Sequence, residues 1–84
     1  MTDIEFELID SLYFVQTFGF LCNELELNEH DLKALLIGMV QKEWVKVLDK
    51  ESDEEILSPE IWSANCSGYH YLATKKGLFA HNSL

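Results

Sequence analysis

Cysteine and histidine are the residue types here best suited to metal binding or nucleophilic chemistry, and Cys66 and His70 stand in a C-x₃-H spacing. Two ligands at such a spacing can belong to a zinc site, but zinc needs about four, and no second pair of comparable spacing follows. A Cys/His pair can also make a nucleophile, but only when a neighbouring group activates the thiol, and no signature of one accompanies Cys66. His81, near the C-terminal end, reads as a solvated side chain. Cys22 and Cys66 read as free, mostly buried thiols of a reduced compartment; pairing them would require Cα atoms within about 7 Å. The four glycines are scattered, so no loop is built to cradle a phosphate. Carboxylates are abundant, but as a general feature of the surface and not as a catalytic pair. These residues imply neither an enzyme nor a cofactor, metal or small-molecule substrate.

Charge is more informative. The 84-residue chain carries fifteen carboxylates against six basic residues, a net of −9, and all six bases are lysine. Residues 1–32 hold eight acids and no base, whereas residues 33–84 hold seven acids and all six lysines. A field of this sign repels phosphate backbones and anionic lipid, and it keeps a small domain soluble. No apolar run reaches the roughly 18 residues that span a bilayer, and the N-terminal Met1, Thr2 and Asp3 lack the basic residues of a secretory signal. The expectation is a cytoplasmic protein without a membrane partner.

The elements that must position any site follow from periodicity. Ile4, Leu8, Leu12 and Val15 recur at helical spacing and predict a helix over 3–18, capped by Thr2 or Asp3 and broken by Gly19. Residues 20–27 predict a short second helix with Leu21 and Leu25 facing inward. Asn28 caps a third helix over 29–43, where Leu32, Leu35, Leu36, Met39 and Val40 fit one face. Residues 44–50 alternate as a strand, with Val45, Val47 and Asp49 on one side and Lys46, Leu48 and Lys50 on the other. A long acidic connection over 51–67 follows, with Pro59 as a breaker. A second strand over 69–73 precedes a short helix that is capped by Thr74, runs through Phe79 and is weakened by Gly77.

The stretch LCNELELNEHDLKALLIGMVQKEWVKVL resembles the two-helix core and first wing strand of winged helix-turn-helix proteins, and YHYLATKKGL resembles a second wing strand entering a closing helix. The resemblance covers residues 4–80. It implies one α+β, mainly helical domain over residues 1–84. That domain would have three N-terminal helices, a two-stranded wing hairpin and a short C-terminal helix. The family's usual activity, duplex DNA binding by the third helix with phosphate contacts from the wing, would fall here on His30, Lys33, Ala34, Ile37, Gln41 and Lys42, with Lys46 and Lys50 from the strand. The sequence departs from that pattern. Arginine, the commonest reader of guanine, is absent, and the wing carries Glu51, Asp53, Glu54, Glu55 and Glu60 without a base between residues 51 and 67.

The expected function is therefore an acidic winged-helix module for protein–protein contact, regulatory and self-associating as a homodimer. Its interface would draw on Tyr13, Phe14, Phe18, Ile61 and Trp62, with Glu51, Asp53, Glu54 and Glu55 facing a basic partner. For Ile56, Leu57, Ile61 and Trp62 a second role is open, as a lid folded back on a small core. The alternative is a DNA-binding transcriptional regulator with Lys33, Gln41, Lys42, Lys46 and Lys50 as its contacts. A third reading, an acidic mimic of DNA that occupies a nucleic-acid-binding protein, follows from charge alone.

Overall fold

Thr2 starts the first helix. Its hydroxyl accepts from the Glu5 amide while the Glu5 carboxylate accepts from the Thr2 amide at 2.8 Å, a reciprocal capping box. The computed structural model describes residues 1–83. Helix α1 (Asp3–Ser11) is followed by strand β1 (Gln16–Thr17), α2 (Phe18–Leu25), α3 (Glu29–Gln41), β2 (Val45–Asp49), α4 (Pro59–Ser63), a 3₁₀ turn at Cys66–Gly68, β3 (Tyr69–Ala73) and α5 (Lys75–Asn82).

The single helix expected over 3–18 is two elements with a strand between them. Helical periodicity continues past Ser11, but main-chain pairing overrides it. The Leu12 carbonyl accepts from the Ala73 amide, and Gln16 and Thr17 pair antiparallel with Tyr71 and His70. The Thr17 hydroxyl then caps α2 through the Phe20 amide, so Gly19 lies inside the first turn of a helix instead of ending one. The sheet accordingly has three strands in the order β1-β3-β2, not the two of a simple hairpin. Asn28 caps α3 through the Asp31 amide as expected, and α3 closes through left-handed Glu43 (φ 63°), with the Glu43 amide on the Val40 carbonyl and the Trp44 amide on the Met39 carbonyl.

The connection between β2 and β3 is largely structured. Asp49 Oδ1 accepts from the Glu51 and Ser52 amides, which hold its carboxyl below the usual range, and a bridge between Leu48 and Glu55 turns the chain back along β2. Pro59 opens α4 at its first turn, where its missing N–H costs nothing, instead of breaking a helix. That helix delivers Trp62 into the core with no exposed surface. The Trp62 ring meets the Tyr71 ring edge-on at 6.0 Å, Phe18 lies 6.3 Å from Tyr71 on a tilted plane, and the Tyr71 hydroxyl donates to the Cys66 carbonyl at 2.6 Å. Burial pushes the Tyr71 phenol far above its ordinary pKa, so it stays a neutral donor. Trp62 and Phe18 thus belong to the core and not to an interface. Of the four apolar residues in the connection, Trp62 covers the core fully and Ile56 partly, while Leu57 and Ile61 face outward.

The closing helix α5 extends past Phe79 to Asn82, capped by Thr74 through the Gly77 amide. Gly77 is required by contact: a Cβ there would overlap the Trp44 carbonyl group. Replacing Trp62 with alanine should lower stability by about 3–5 kcal/mol in urea unfolding. Trp62→Phe should cost much less, because among the described residues the buried indole N–H has no hydrogen-bond partner to lose. Gly77→Ala should destabilise by about 1–3 kcal/mol through the Trp44 clash, although alanine is the better helix former.

Candidate protein-interaction surfaces

Helix α5 docks on α1 through a histidine. Gly77 and His81 are four residues apart and both face inward, and the His81 ring stacks on Phe6 at 3.9 Å with planes 17° apart. His81 Nδ1 shares a hydrogen bond of 3.1 Å with the Tyr13 hydroxyl, and Nε2 lies 3.5 Å from an Asp10 carboxylate oxygen. His81 is therefore buried, contrary to the solvated role expected from its place near the chain end. The spacing from Gly77 carries the signal that would have found it.

This docking leaves an apolar face on the outside. Tyr13 is 43% exposed, and its hydroxyl also reaches Asn82 Oδ1 at 3.3 Å. Asn82 joins Lys75, Leu78 and Phe79 in lining a shallow cleft of about 480 Å³. Phe14, the next residue after Tyr13, is 78% exposed, and Phe79 is 76% exposed. Of the aromatics expected at an interface, Tyr13 and Phe14 are exposed and Phe18 is buried. Phe79 lines the cleft, but the helical pattern of α5 did not single it out. Ile61 is exposed on α4 in the β2–β3 connection. Glu51, Asp53, Glu54 and Glu55 are likewise exposed in that connection, and none makes an ion pair among the described residues.

The lysines expected to touch nucleic acid do not form one surface. Lys33 and Lys42 are nine residues apart, which places them on opposite sides of a helix with 3.6 residues per turn. Lys42 turns back to α1, where its ammonium pairs with the Glu5 carboxylate and lies 5.0 Å from the centre of the Trp44 ring. Lys46 is half-buried in a cleft beside β2, whereas Gln41 and Lys50 are exposed. Both thiols are free, and burial raises Cys22 and Cys66 above the ordinary thiol value, which keeps them protonated and weakly nucleophilic. Among the described residues no group of three or more His, Cys, Asp or Glu side chains is placed to hold a metal, and no helix is long and apolar enough to cross a membrane.

The Glu5–Lys42 pair gives a pH dependence. The Lys42 hydrogen bond, and then the Thr2 amide, lower the Glu5 pKa below 4.5 against the opposing effect of burial. A carboxylate with a depressed folded pKa adds stability above its unfolded value and loses it as the pH falls through the folded one. Lys42 is half-exposed, so solvent screening limits the pair to about 1 kcal/mol. Glu5→Gln should therefore lower the urea midpoint at pH 7, and the gap from the unsubstituted protein should close as the pH falls below 4.5. A gap of constant size would mean that the charge on Glu5 contributes nothing.

No protein-family model, no curated protein and no solved structure matches the chain.

Proposed function

We propose that the chain is an acidic winged-helix module for protein–protein contact, self-associating through the face formed by Tyr13, Phe14, Leu78 and Phe79. The winged-helix reading is supported by the order of elements: three helices, a strand, a long connection and a returning strand, closed by a helix that Thr74 caps. The interaction reading is carried by one observation. Two phenyl rings, on the turn after α1 and on α5, stand more than three-quarters exposed on elements tied together by the Tyr13–Asn82 hydrogen bond. Apolar surface gathered in this way on a small domain marks a contact site more often than scattered single residues do. Tyrosine and phenylalanine are also the residues enriched at interface cores.

The charge favours a protein partner over a nucleic acid. Two copies with a net charge of −9 repel each other at a distance, so this contact must be short-range and apolar. Among the described residues the acids of the wing make no ion pair, and the lysines at 33, 42, 46 and 50 are dispersed. The protein is read as cytoplasmic, with a regulatory role exercised through binding and not through catalysis.

Salt separates this reading from the DNA-binding alternative. Self-association should strengthen as ionic strength rises from ~0.05 to ~0.5 M, because screening removes the repulsion and leaves the apolar contact. Binding to duplex DNA would weaken over the same range. Light scattering on the chain at about 100 μM should show a dimer at the higher salt, and Phe14→Glu or Phe79→Glu should weaken the dimer at least ~10-fold, which corresponds to about 1.4 kcal/mol. A monomer mass throughout, together with a salt-sensitive shift of random duplex, would favour the regulator reading.

A further inference from the structure

Helix α5 buries a titratable side chain, His81, against α1. Its ring stacks on Phe6 at 3.9 Å, which fixes the plane in which its two nitrogens lie. Nδ1 is 3.1 Å from the Tyr13 hydroxyl, and Nε2 is 3.5 Å from Asp10 Oδ1. Among the described residues Nε2 is buried and makes no hydrogen bond, so it is the open end of this chain of groups.

The protons along the chain can be assigned. Asn82 Nδ2 donates to the Leu78 carbonyl at 2.8 Å, and a carbonyl only accepts, so the Asn82 atom that faces Tyr13 at 3.3 Å is the acceptor Oδ1. The Tyr13 hydroxyl has one proton to give. When it goes to Asn82, the Tyr13 oxygen accepts from Nδ1–H, and Nε2 of a neutral ring turns a lone pair toward the Asp10 carboxylate. When Nε2 carries the proton instead, Nδ1 takes the Tyr13 proton and Asn82 Oδ1 loses its donor. Only the doubly protonated ring serves both ends: Nε2–H faces Asp10, Nδ1–H donates to Tyr13, and Tyr13 donates to Asn82. Asp10 is the charged group set against the ring from α1, and Tyr13 is the titratable group set against it from the following turn. Of the other charges on these two helices, Glu5 is engaged by Lys42 and Lys76 by Glu43.

We propose that His81 is a proton-operated latch. Its protonated ring ties α5, which carries Phe79, to α1 and to the turn that carries Phe14. The inference deepens the self-association reading and rests on it: contact between two copies tightens as the pH falls through the imidazole range, from about pH 8 to about pH 5.5. The sign follows from linkage. The folded state completes its contacts by holding the proton, so the contribution is present at low pH and is lost as the pH rises. The Asp10 side chain is 69% exposed, so solvent screens the pair and the effect is modest.

The latch is read first in a monomer, the full chain carrying Phe14→Glu. Protection of the α5 amides against hydrogen exchange should rise several-fold from about pH 8 to about pH 5.5, and nitrogen NMR of the His81 ring should show both nitrogens protonated over the same range. Asp10→Asn, at an exposed position, should shrink that rise. Glu24→Gln, which removes an exposed acid from α2, should leave it intact. Protection that does not follow the ring proton, or equal effects of the two substitutions, would overturn the latch. The coupling is then read by light scattering on the unsubstituted chain. The dimer should dissociate several-fold more readily at about pH 8 than at about pH 6. His81→Phe, which keeps an aromatic ring against Phe6, should remove that difference. A difference that survives His81→Phe would arise from overall charge and would overturn the coupling. A monomer mass at both pH values would overturn the self-association reading and the coupling with it, while the exchange and ring spectra decide the latch.

Discussion

Tyr71 occupies the middle of the central strand, paired with Gln16 of β1 on one side and Val47 of β2 on the other. Its ring receives Trp62 edge-on from α4 and Phe18 from the start of α2, and its hydroxyl donates to the Cys66 carbonyl in the turn that leads into β3. A phenol buried without a partner would cost about 1–3 kcal/mol, so this hydrogen bond is what permits so large a side chain at the centre of so small a core. It also fixes the end of the long connection. Between Ser58 and Asn65 the short helix α4 buries one residue, Trp62, in the core and leaves Ile61 outside. A domain of this size buries a modest share of its surface, so two fully buried aromatics in contact carry much of its stability.

Charge plays a different part in the two halves of the molecule. In the N-terminal half the acids have no local cations, and the chain borrows one from α3. Lys42 reaches Glu5 across the helix interface and ties the first helix to the third. The reach removes Lys42 from any outward-facing basic surface. In the β2–β3 connection the acids have no such counterpart among the described residues and remain on the outside, where Asp49 and left-handed Asp53 shape the turn that presents them. The same excess of carboxylate thus stabilises one interface inside the fold and leaves an acidic surface outside it.

The two exposed surfaces have different physical origins. On the α1–α5 side the polar functions of Tyr13, His81 and Asn82 are turned toward one another, and the rings of Phe14 and Phe79 are left toward solvent. Beside β2 the exposed features are side chains, Leu57 and the carboxylates of the returning segment. One surface presents apolar area and the other mostly negative charge.

Much of the local structure was legible in the residues. Asn28, Thr2 and Thr74 announced helix starts because a side-chain oxygen three residues before an amide satisfies it locally, and the Leu32–Leu36–Met39 face of α3 follows from helical geometry alone. The charge imbalance was equally legible. The end of α1 at Ser11 was not, since the apolar period runs on to Val15 and only pairing with Tyr71 and His70 turns residues 16–17 into a strand. Nor was the division of the aromatics. Phe14 and Phe18 are four residues apart, the spacing of one helix face, yet one is exposed and the other buried because a strand intervenes. Trp62 within an acidic stretch, and His81 near a chain end, carry local signals of exposure that long-range packing reverses. The sequence by itself determined which segments cap, alternate and repel. Only the tertiary structure decided which aromatics form the core and which remain exposed, because that division depends on contacts between residues as far apart as Tyr13 and His81, which no local pattern encodes.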